Sequence, residues 1–541
     1  MTDEALLAFS AEQARTATAI FERMFPADDV PGATEIGVVR YVDRALAGAY
    51  RDDAGLYRRG LAQLNAASQE AHGVRFEDAS ADVQDDLLRS LEHGEIAGWP
   101  SEEQVAFFRK LRAHLQEGLF SDPAYGGNID KAGWRVLGHP GVWLSNSAEE
   151  NLSPLPADKG GRIQSLADVE HELAALAKPL DVPGFDPQRG TAPPLPDADV
   201  VLVGVGGVGG FIAPVLAKAG LRVVGLEAGP WWELDDFRPD ELGHAYYCRA
   251  ELGPKFKSET PRWRPNKDAP DQELTFSLGR MMNGVGGSVI HYGGWLRRFP
   301  AHNLRLRSWA LERWGPKAIP EGCTTQDWPV TYDELRPYFT EVERLVGIAG
   351  DDQDVFRPKD AEYPLPPTRP FRMGELFSQV TREMGLHPHS APVGMTTRPY
   401  NGFPEMTYTA WNNGFGSWTG DKWHPALTSI PEALATGNFD LRTNCRVTRV
   451  LTDADGRACG VAYIDPLGRE REQRAGTVIL AAYTFETVRL MYLSGTDKRP
   501  DGLGNSSGQL GKHFMTKMFA HVDGFFPDIV FNRHTGPAAQ A

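Results

Sequence analysis

Residues 199–229 read DVVLVGVGGVGGFIAPVLAKAGLRVVGLEAG, a glycine-dense turn set between two apolar runs. Val200 to Val205 has the β-branched composition of a buried strand. Gly204, Gly206 and Gly209 follow in GxGxxG spacing, a helix is expected through Ala219, and a second strand, RVVGLE, ends on Glu227. Each glycine has a physical task in such a βαβ unit. Gly204 permits a tight turn, Gly206 lets backbone approach a pyrophosphate, and Gly209 lets the helix lie close to the sheet. The N–H groups at the helix start then face the anion. Glu227, 23 residues beyond Gly204, stands where a carboxylate can accept hydrogen bonds from an adenosine ribose. Pro214 falls inside the helix, where an interior proline costs about 3 kcal/mol. The carbonyl it would strike belongs to Gly210, which has no side chain to add to the clash.

Around this turn the chain divides into three stretches. Residues 1–150 carry helical spacing, as in SADVQDDLLRSLEHGEIAGW and SEEQVAFFRKLRAHLQEGLF, the latter with Ser101 as a capped start, and read as a small, mostly α-helical domain. Residues 151–196 hold one helical run and then a proline-rich stretch, and read as a linker. Residues 197–541 alternate strands and helices and read as an α/β domain. Further strands are expected at FDLRTNCRVTRVLTD, ACGVAYIDP and GTVILAAY, and a helix at TFETVRLMYLS.

Composition excludes several classes of function. The chain has 541 residues, 41 % of them hydrophobic and 24 % charged, with a formal charge of −16. An acidic chain without long Lys or Arg runs does not suit nucleic acid or anionic membranes. Its four cysteines form no CxxC pair, so no metal centre is expected. The uncharged run Val200–Ala217 holds five glycines and Pro214, which suits a strand and helix better than a transmembrane segment. The N-terminus lacks the basic and apolar regions of a secretory signal. Cytoplasm is the default location, with the periplasm open through a partner.

A second cluster, LGRMMNGVGGSVIHYGGWLRRF at residues 278–299, narrows the cofactor. With LEAGP at 226–230 it resembles the glucose–methanol–choline (GMC) family of FAD-dependent oxidoreductases, whose second glycine motif lies along the flavin. The matching positions are Arg280, Gly284, Gly286, Gly287 and Ser288. CRVTRV and VILAAYTFETVRLMYLS are similar to later pieces of that family's FAD domain. Val447 then stands where backbone meets the adenine, and Tyr483 replaces the more usual glycine. VGGSVIHYGGWLRRF, DWPVTYDELRPYF and GNSSGQLGKHFM resemble the flavoprotein subunit of gluconate 2-dehydrogenase and related sugar dehydrogenases. FPADDVPGATEIGVVRYVDRAL and LFSDPAYGGNIDKAGWRVLGHPG resemble that enzyme's small third subunit.

The resemblance implies an FAD-binding Rossmann-like domain with part of an α+β substrate domain, behind a small-subunit-like helical domain. It implies oxidation of a CH–OH group in an alcohol or sugar, with electrons passed to a cytochrome or quinone. His291 sits where some relatives bond their flavin covalently; a hydrogen bond near the ring is the other reading. The aromatic run at 400–423 is open between a substrate lid and a packed interface, and it lacks the cysteines with which some relatives hold an iron–sulfur cluster. The family's catalytic histidine motif lies farther toward the C-terminus than FNRHTGPAAQA. The substrate domain is therefore expected to be incomplete, and no catalytic base is assigned. His513, His521 and His534 are expected to be structural or peripheral. Two rivals stay open: a truncated, non-catalytic flavin-binding protein, and an NAD-dependent dehydrogenase, for which the cluster at 284–287 has no evident purpose.

Overall fold

The computed structural model describes residues 5–153, 159–176, 179–238, 240, 242–243, 261–266, 268–274, 281–355, 357–358, 360–408, 416–515 and 524–528. The chain divides into two compact units. One comprises residues 1–144, 158–175 and 238–252, and the other the remainder.

The first unit is helical. Its main helices are α1 (Ala11–Met24), α2 (Val38–Ala47), α3 (Ala54–His72), α4 (Ala81–His93) and α5 (Ser101–Phe120). A capping box starts α1: Ser10 accepts from the Gln13 amide while Gln13 accepts from Ser10. The expected Ser101 cap is not made. Pro100 takes the cap position, and Gln104 turns back to bond the backbone of Ile96 and Trp99. Ile20, Phe21, Tyr41, Val42, Leu64, Phe107 and Leu111 fill the core between these helices. The carboxylate of Asp43 gathers the amides of Leu7, Ala8 and Phe9 at 2.7–2.9 Å and so ties the leading segment to α2.

One polar seam crosses that core. The imidazole of His114 stacks between the rings of Tyr50 and Tyr57, at centroid distances of 4.8 and 5.7 Å. One turn further along α5, Glu117 accepts hydrogen bonds from Tyr41 and Tyr50.

The second unit is built on a six-stranded sheet: β1 (Ala198–Val203), β2 (Val223–Leu226), β3 (Phe439–Arg442), β4 (Arg446–Thr452), β5 (Ala458–Ile464) and β6 (Glu470–Leu480). The spatial order is β3-β2-β1-β6-β5-β4. The first four strands are parallel, and β6, β5 and β4 form an antiparallel meander. Strand β6 belongs to both ladders: its first half pairs β5 and its second half pairs β1.

Alternation along β1 divides the core, as a two-residue period requires. Val200 and Leu202 face helix α6 (Gly207–Lys218) and helix α8 (Ser429–Ala435), while Val201 and Val203 face Val450, Val461, Tyr463 and Leu490. Helix α7 (Tyr332–Val346) lies between α6 and α8 in the sequence. There Glu343 receives Arg298 through both carboxylate oxygens at 2.7 Å, and Arg357 at 3.0 Å.

Two local expectations change. The run FDLRTNCRVTRVLTD is two strands rather than one, broken where Asn444 takes φ +56°. The proline-rich stretch before the glycine turn is stitched to the sheet. Arg189 pairs with Asp440 through two hydrogen bonds of 2.7 and 3.0 Å, and the buried Arg442 donates to the carbonyls of Ala192 and Pro193. Composition reports low periodicity there, but backbone carbonyls need none to be held by an arginine.

Burial in the helical unit generates a pH dependence. It raises Glu117 to about 7 from 4.5, against the two tyrosine hydroxyls. Between those values the folded chain keeps a proton that the unfolded chain has released. This group's contribution to stability therefore falls as pH rises across that window and is lowest above it. Glu117→Gln removes the titration. Its melting temperature relative to the parent should rise between about pH 5 and about pH 8; parallel profiles would refute the assignment.

Candidate functional site

The glycine turn joins β1 to α6, and its geometry is set by backbone. Gly204 has φ +86°, and a Cβ there would lie 2.7 Å from the Ala481 carbonyl oxygen, at the end of β6. A Cβ on Gly209 would lie 2.1 Å from the Gly204 carbonyl oxygen, so the helix can only approach the strand this closely without one. Gly210, one position on, packs on Pro425 and Ile430. Pro214 is accommodated inside α6 as the sequence requires. No side chain caps α6 at Gly206, which leaves its first amides available to an anion.

The second cluster returns to the same place. Gly286 donates to the Val205 carbonyl at 2.9 Å, and Val285 donates to Pro230. A Cβ on Gly287 (φ +60°) would lie 2.9 Å from Gly206 Cα, and one on Gly206 would lie 3.4 Å from Gly287 Cα. Two turns about eighty residues apart thus meet glycine to glycine. Ser288 and His291 continue from the second turn in a short 3-10 helix, Gly287–His291, and the His291 ring stands edge-on to Phe237 at 6.5 Å.

Glu227 joins the two turns. Its buried carboxylate accepts from Val205 (3.0 Å) in the first, from Gly284 (3.2 Å) in the second, and from Gly229 (2.9 Å) beside it. Burial raises its pKa, and the backbone donors oppose that shift. Those donors take three of roughly four acceptor positions on the carboxylate. The spacing nominates Glu227 for a ribose; the contacts it makes in the fold are with backbone, and they hold both glycine segments in register.

Val447 is the second residue of β4, just past the strand break. The strand break at 443–445 lays the Asn444 amide on the Gly229 carbonyl and the Cys445 amide on the Glu227 carbonyl. Gly204, Gly206, Gly209, Glu227, Gly284, Gly286, Gly287 and Ser288 are thereby brought around one locus, with Val447 and His291 at its margins. Arg280 lies outside the described residues, as do His521 and His534. His513 is exposed and bonded to Thr324 (2.9 Å) and Gln509.

The locus also carries polar atoms that the protein leaves unsatisfied. Asn283 Nδ2, Trp231 Nε1, Trp232 Nε1 and both ring nitrogens of His424 are buried without a hydrogen-bond partner. Trp232 Nε1 would stand 2.4 Å from a Gly284 Cβ, and His424 Nδ1 would stand 3.5 Å from a Gly286 Cβ. Buried polar groups are nearly always paired, so such a cluster marks a place where another molecule completes the bonding. Uncapped helix amides, a cradle closed to any Cβ and these nitrogens together fit a phosphate-bearing dinucleotide.

His424 is absent from the glycine motifs and escapes a motif reading. Its signal in the sequence is the run DKWH (421–424), three ionisable residues and a tryptophan, all of which the fold buries. Lys422 there donates to the Tyr292 carbonyl at 2.9 Å, and burial lowers its pKa to about 7. Tyr408, Trp418 and Trp423 of the aromatic run are interior, so these three pack a core rather than form a lid; residues 409–415 lie outside the described set. Among the described residues, no cluster of side chains is arranged to hold a metal ion.

Two outcomes follow from this geometry. Glu227→Gln turns an amide NH2 toward backbone N–H groups, and an unsatisfied buried donor costs about 1–3 kcal/mol. The variant should melt several degrees lower and lose retained cofactor; an unchanged melting curve would refute the bracing role. Tyr483 has φ +68° and ψ 156°, a conformation nearly restricted to glycine that costs about 1–3 kcal/mol. Tyr483→Gly trades that strain for about 0.5–1 kcal/mol of chain entropy, so its melting temperature should rise. A fall would show that packing of the ring on Phe485 outweighs the strain.

Comparison with known proteins shows what two stretches of the chain resemble. Residues 11–141 match the model of gluconate 2-dehydrogenase subunit 3, and residues 324–518 match that of GMC oxidoreductase. The gluconate 2-dehydrogenase flavoprotein of Pantoea cypripedii is 31 % identical over 358 residues, covering 61 % of this chain and 58 % of its own. The 2-methyl-1,2-propanediol dehydrogenase of Mycolicibacterium austroafricanum is 35 % identical over 322 residues, with coverages of 59 % and 54 %. The fructose dehydrogenase large subunit of Gluconobacter japonicus is 26 % identical over 332 residues, with coverages of 59 % and 58 %. The chain thus spans a little over half the length of these relatives. Among solved structures, a formate oxidase aligns at 18 % identity with a TM-score of 0.34, covering 56 % of this chain and 48 % of its own. Residues 11–141 are thus similar to gluconate 2-dehydrogenase subunit 3, and residues 324–518 to GMC oxidoreductases.

Proposed function

We propose that this chain serves an FAD-dependent oxidoreductase acting on the CH–OH group of an alcohol or sugar, with electrons passed on to an external acceptor. The observation that carries the reading is the meeting of Gly206 with Gly287 under the Glu227 carboxylate. One long dinucleotide can lie across both turns, with its pyrophosphate on the amides of α6 and its flavin end toward Ser288 and His291. A nicotinamide cofactor would leave the second turn without a ligand. Bound FAD would supply a hydride acceptor at its N5 atom.

The chain's own residues are given limited parts. The amides at the start of α6 bind phosphate, and the glycines exclude any side chain from the path of the cofactor. Glu227 has at most one acceptor position left for a ribose hydroxyl. Val447 offers backbone to the adenine. Proton removal from the substrate hydroxyl is assigned to none of the described histidines. His291 remains the candidate for a covalent flavin bond, on its position after the GGS unit.

The names of the relatives guide the choice of substrates: gluconate, fructose and 2-methyl-1,2-propanediol. The subunit 3 segment supports a role beside a flavoprotein, with a cytochrome or quinone as the acceptor. Among the described residues, no helix is long and apolar enough to cross a membrane.

Purified protein should carry flavin or take it up from added FAD, and anaerobic addition of one of these polyols should bleach it. Absence of FAD binding would end the reading. Binding without bleaching by any polyol would leave a flavin-binding protein that is not this dehydrogenase. Flavin that stays with acid-precipitated protein, and is released by His291→Ala, would establish the covalent bond.

A further inference from the structure

His424 is buried to 1 % exposure, yet neither ring nitrogen has a hydrogen-bond partner. It lies in the loop ahead of α8, where Pro425 packs on Gly210 of α6 and His424 Nδ1 stands 3.5 Å from the Cβ position of Gly286. The ring is therefore lodged between the helix that starts at the first glycine turn and the backbone of the second. Burial and the neighbouring Lys422 push its pKa down to about 3. Near neutral pH it accordingly offers one N–H donor and one lone pair. A histidine kept for packing alone would bond to backbone or to another side chain, as His114 does with Tyr57 at 3.0 Å. His424 does neither, at the point where the two turns converge.

We propose that His424 is a binding residue for the flavin dinucleotide, hydrogen-bonding it beside the second glycine turn, Gly284–Gly287. The inference rests on the FAD reading above and adds a contact that no glycine motif specifies. It has an uncommon signature. In the cofactor-free chain the imidazole is an unsatisfied buried group, which is destabilising; in the loaded chain it is paired. An apolar replacement of similar size should therefore stabilise the empty protein and weaken its hold on FAD.

The test is titration of flavin-free protein with FAD, followed by fluorescence quenching, together with melting of the empty protein. His424→Leu should raise the melting temperature and weaken FAD binding about tenfold, the worth of one lost hydrogen bond. His424→Gln, which keeps a donor and an acceptor, should stay within a few fold of the parent. Unchanged affinity in His424→Leu would overturn the proposal, as would a lower melting temperature with unchanged affinity. Should the leucine variant not fold, the parent with 15N-labelled histidine rings decides. FAD must shift the ring signal that His424→Gln removes, and an unmoved signal refutes the contact. A parent that binds no FAD at all would sink the flavin reading and this proposal with it. A parent that binds FAD while His424 proves indifferent would sink the proposal alone.

Discussion

One buried carboxylate sets the geometry on which the second unit depends. Glu227 directly follows β2 and gathers amides from the first glycine turn, the second glycine cluster and Gly229, two residues on. Without it, nothing polar among the described residues links Gly284 to Val205 at this depth, and the approach of Gly206 to Gly287 would rest on the Gly286–Val205 hydrogen bond. A carboxylate is well matched to the task because it accepts only, and backbone amides only donate. Burial disfavours its charge, and the converging N–H groups offset that cost.

Much of this unit is legible in the sequence, because local physics and the fold agree there. The βαβ unit declares itself through a β-branched run, three spaced glycines and a terminal acid, and the strands and helix appear within a few residues of expectation. What sequence spacing does not carry is the pairing of distant segments. The face-to-face packing of Gly206 and Gly287 and the bridging by Glu227 appear only in the folded chain. His424 is hidden for another reason: a lone histidine beside a tryptophan and a proline has many bland explanations, and only its burial without a partner sets it apart. The misreadings have physical causes too. Ser101 looks like a cap, but Pro100 fixes the backbone ahead of it and Gln104 satisfies the loop carbonyls instead. Asn444 breaks one apparent strand into two because asparagine tolerates the left-handed conformation that the corner requires.

The helical unit uses the same device in a different setting. Asp43 does for the amides of Leu7, Ala8 and Phe9 what Glu227 does for the glycine segments. In both places one acidic side chain replaces several backbone partners that the fold cannot otherwise supply, and hydrophobic packing then closes over it. The Tyr50–His114–Tyr57 stack shows a different solution, in which a buried imidazole is enclosed by flat rings and bonded by one hydroxyl. The contrast with His424 is what gives that residue its interest.

Strand β6 has a consequence that reaches beyond the sheet. Its leading half is registered against β5, and its trailing half against β1, with Ala475 opposite Ala198. Its far end delivers Ala481 and Ala482 to Gly204, where there is no space for a Cβ. The hairpin is therefore a ruler laid against the nucleotide fold. Deleting one residue from the strand would displace its tip by about 3.3 Å and turn every side chain beyond the cut to the opposite face. The Pro466–Gly468 reversal is exposed, whereas Glu470–Leu480 is registered on both sides, so insertions across related chains should spare the strand.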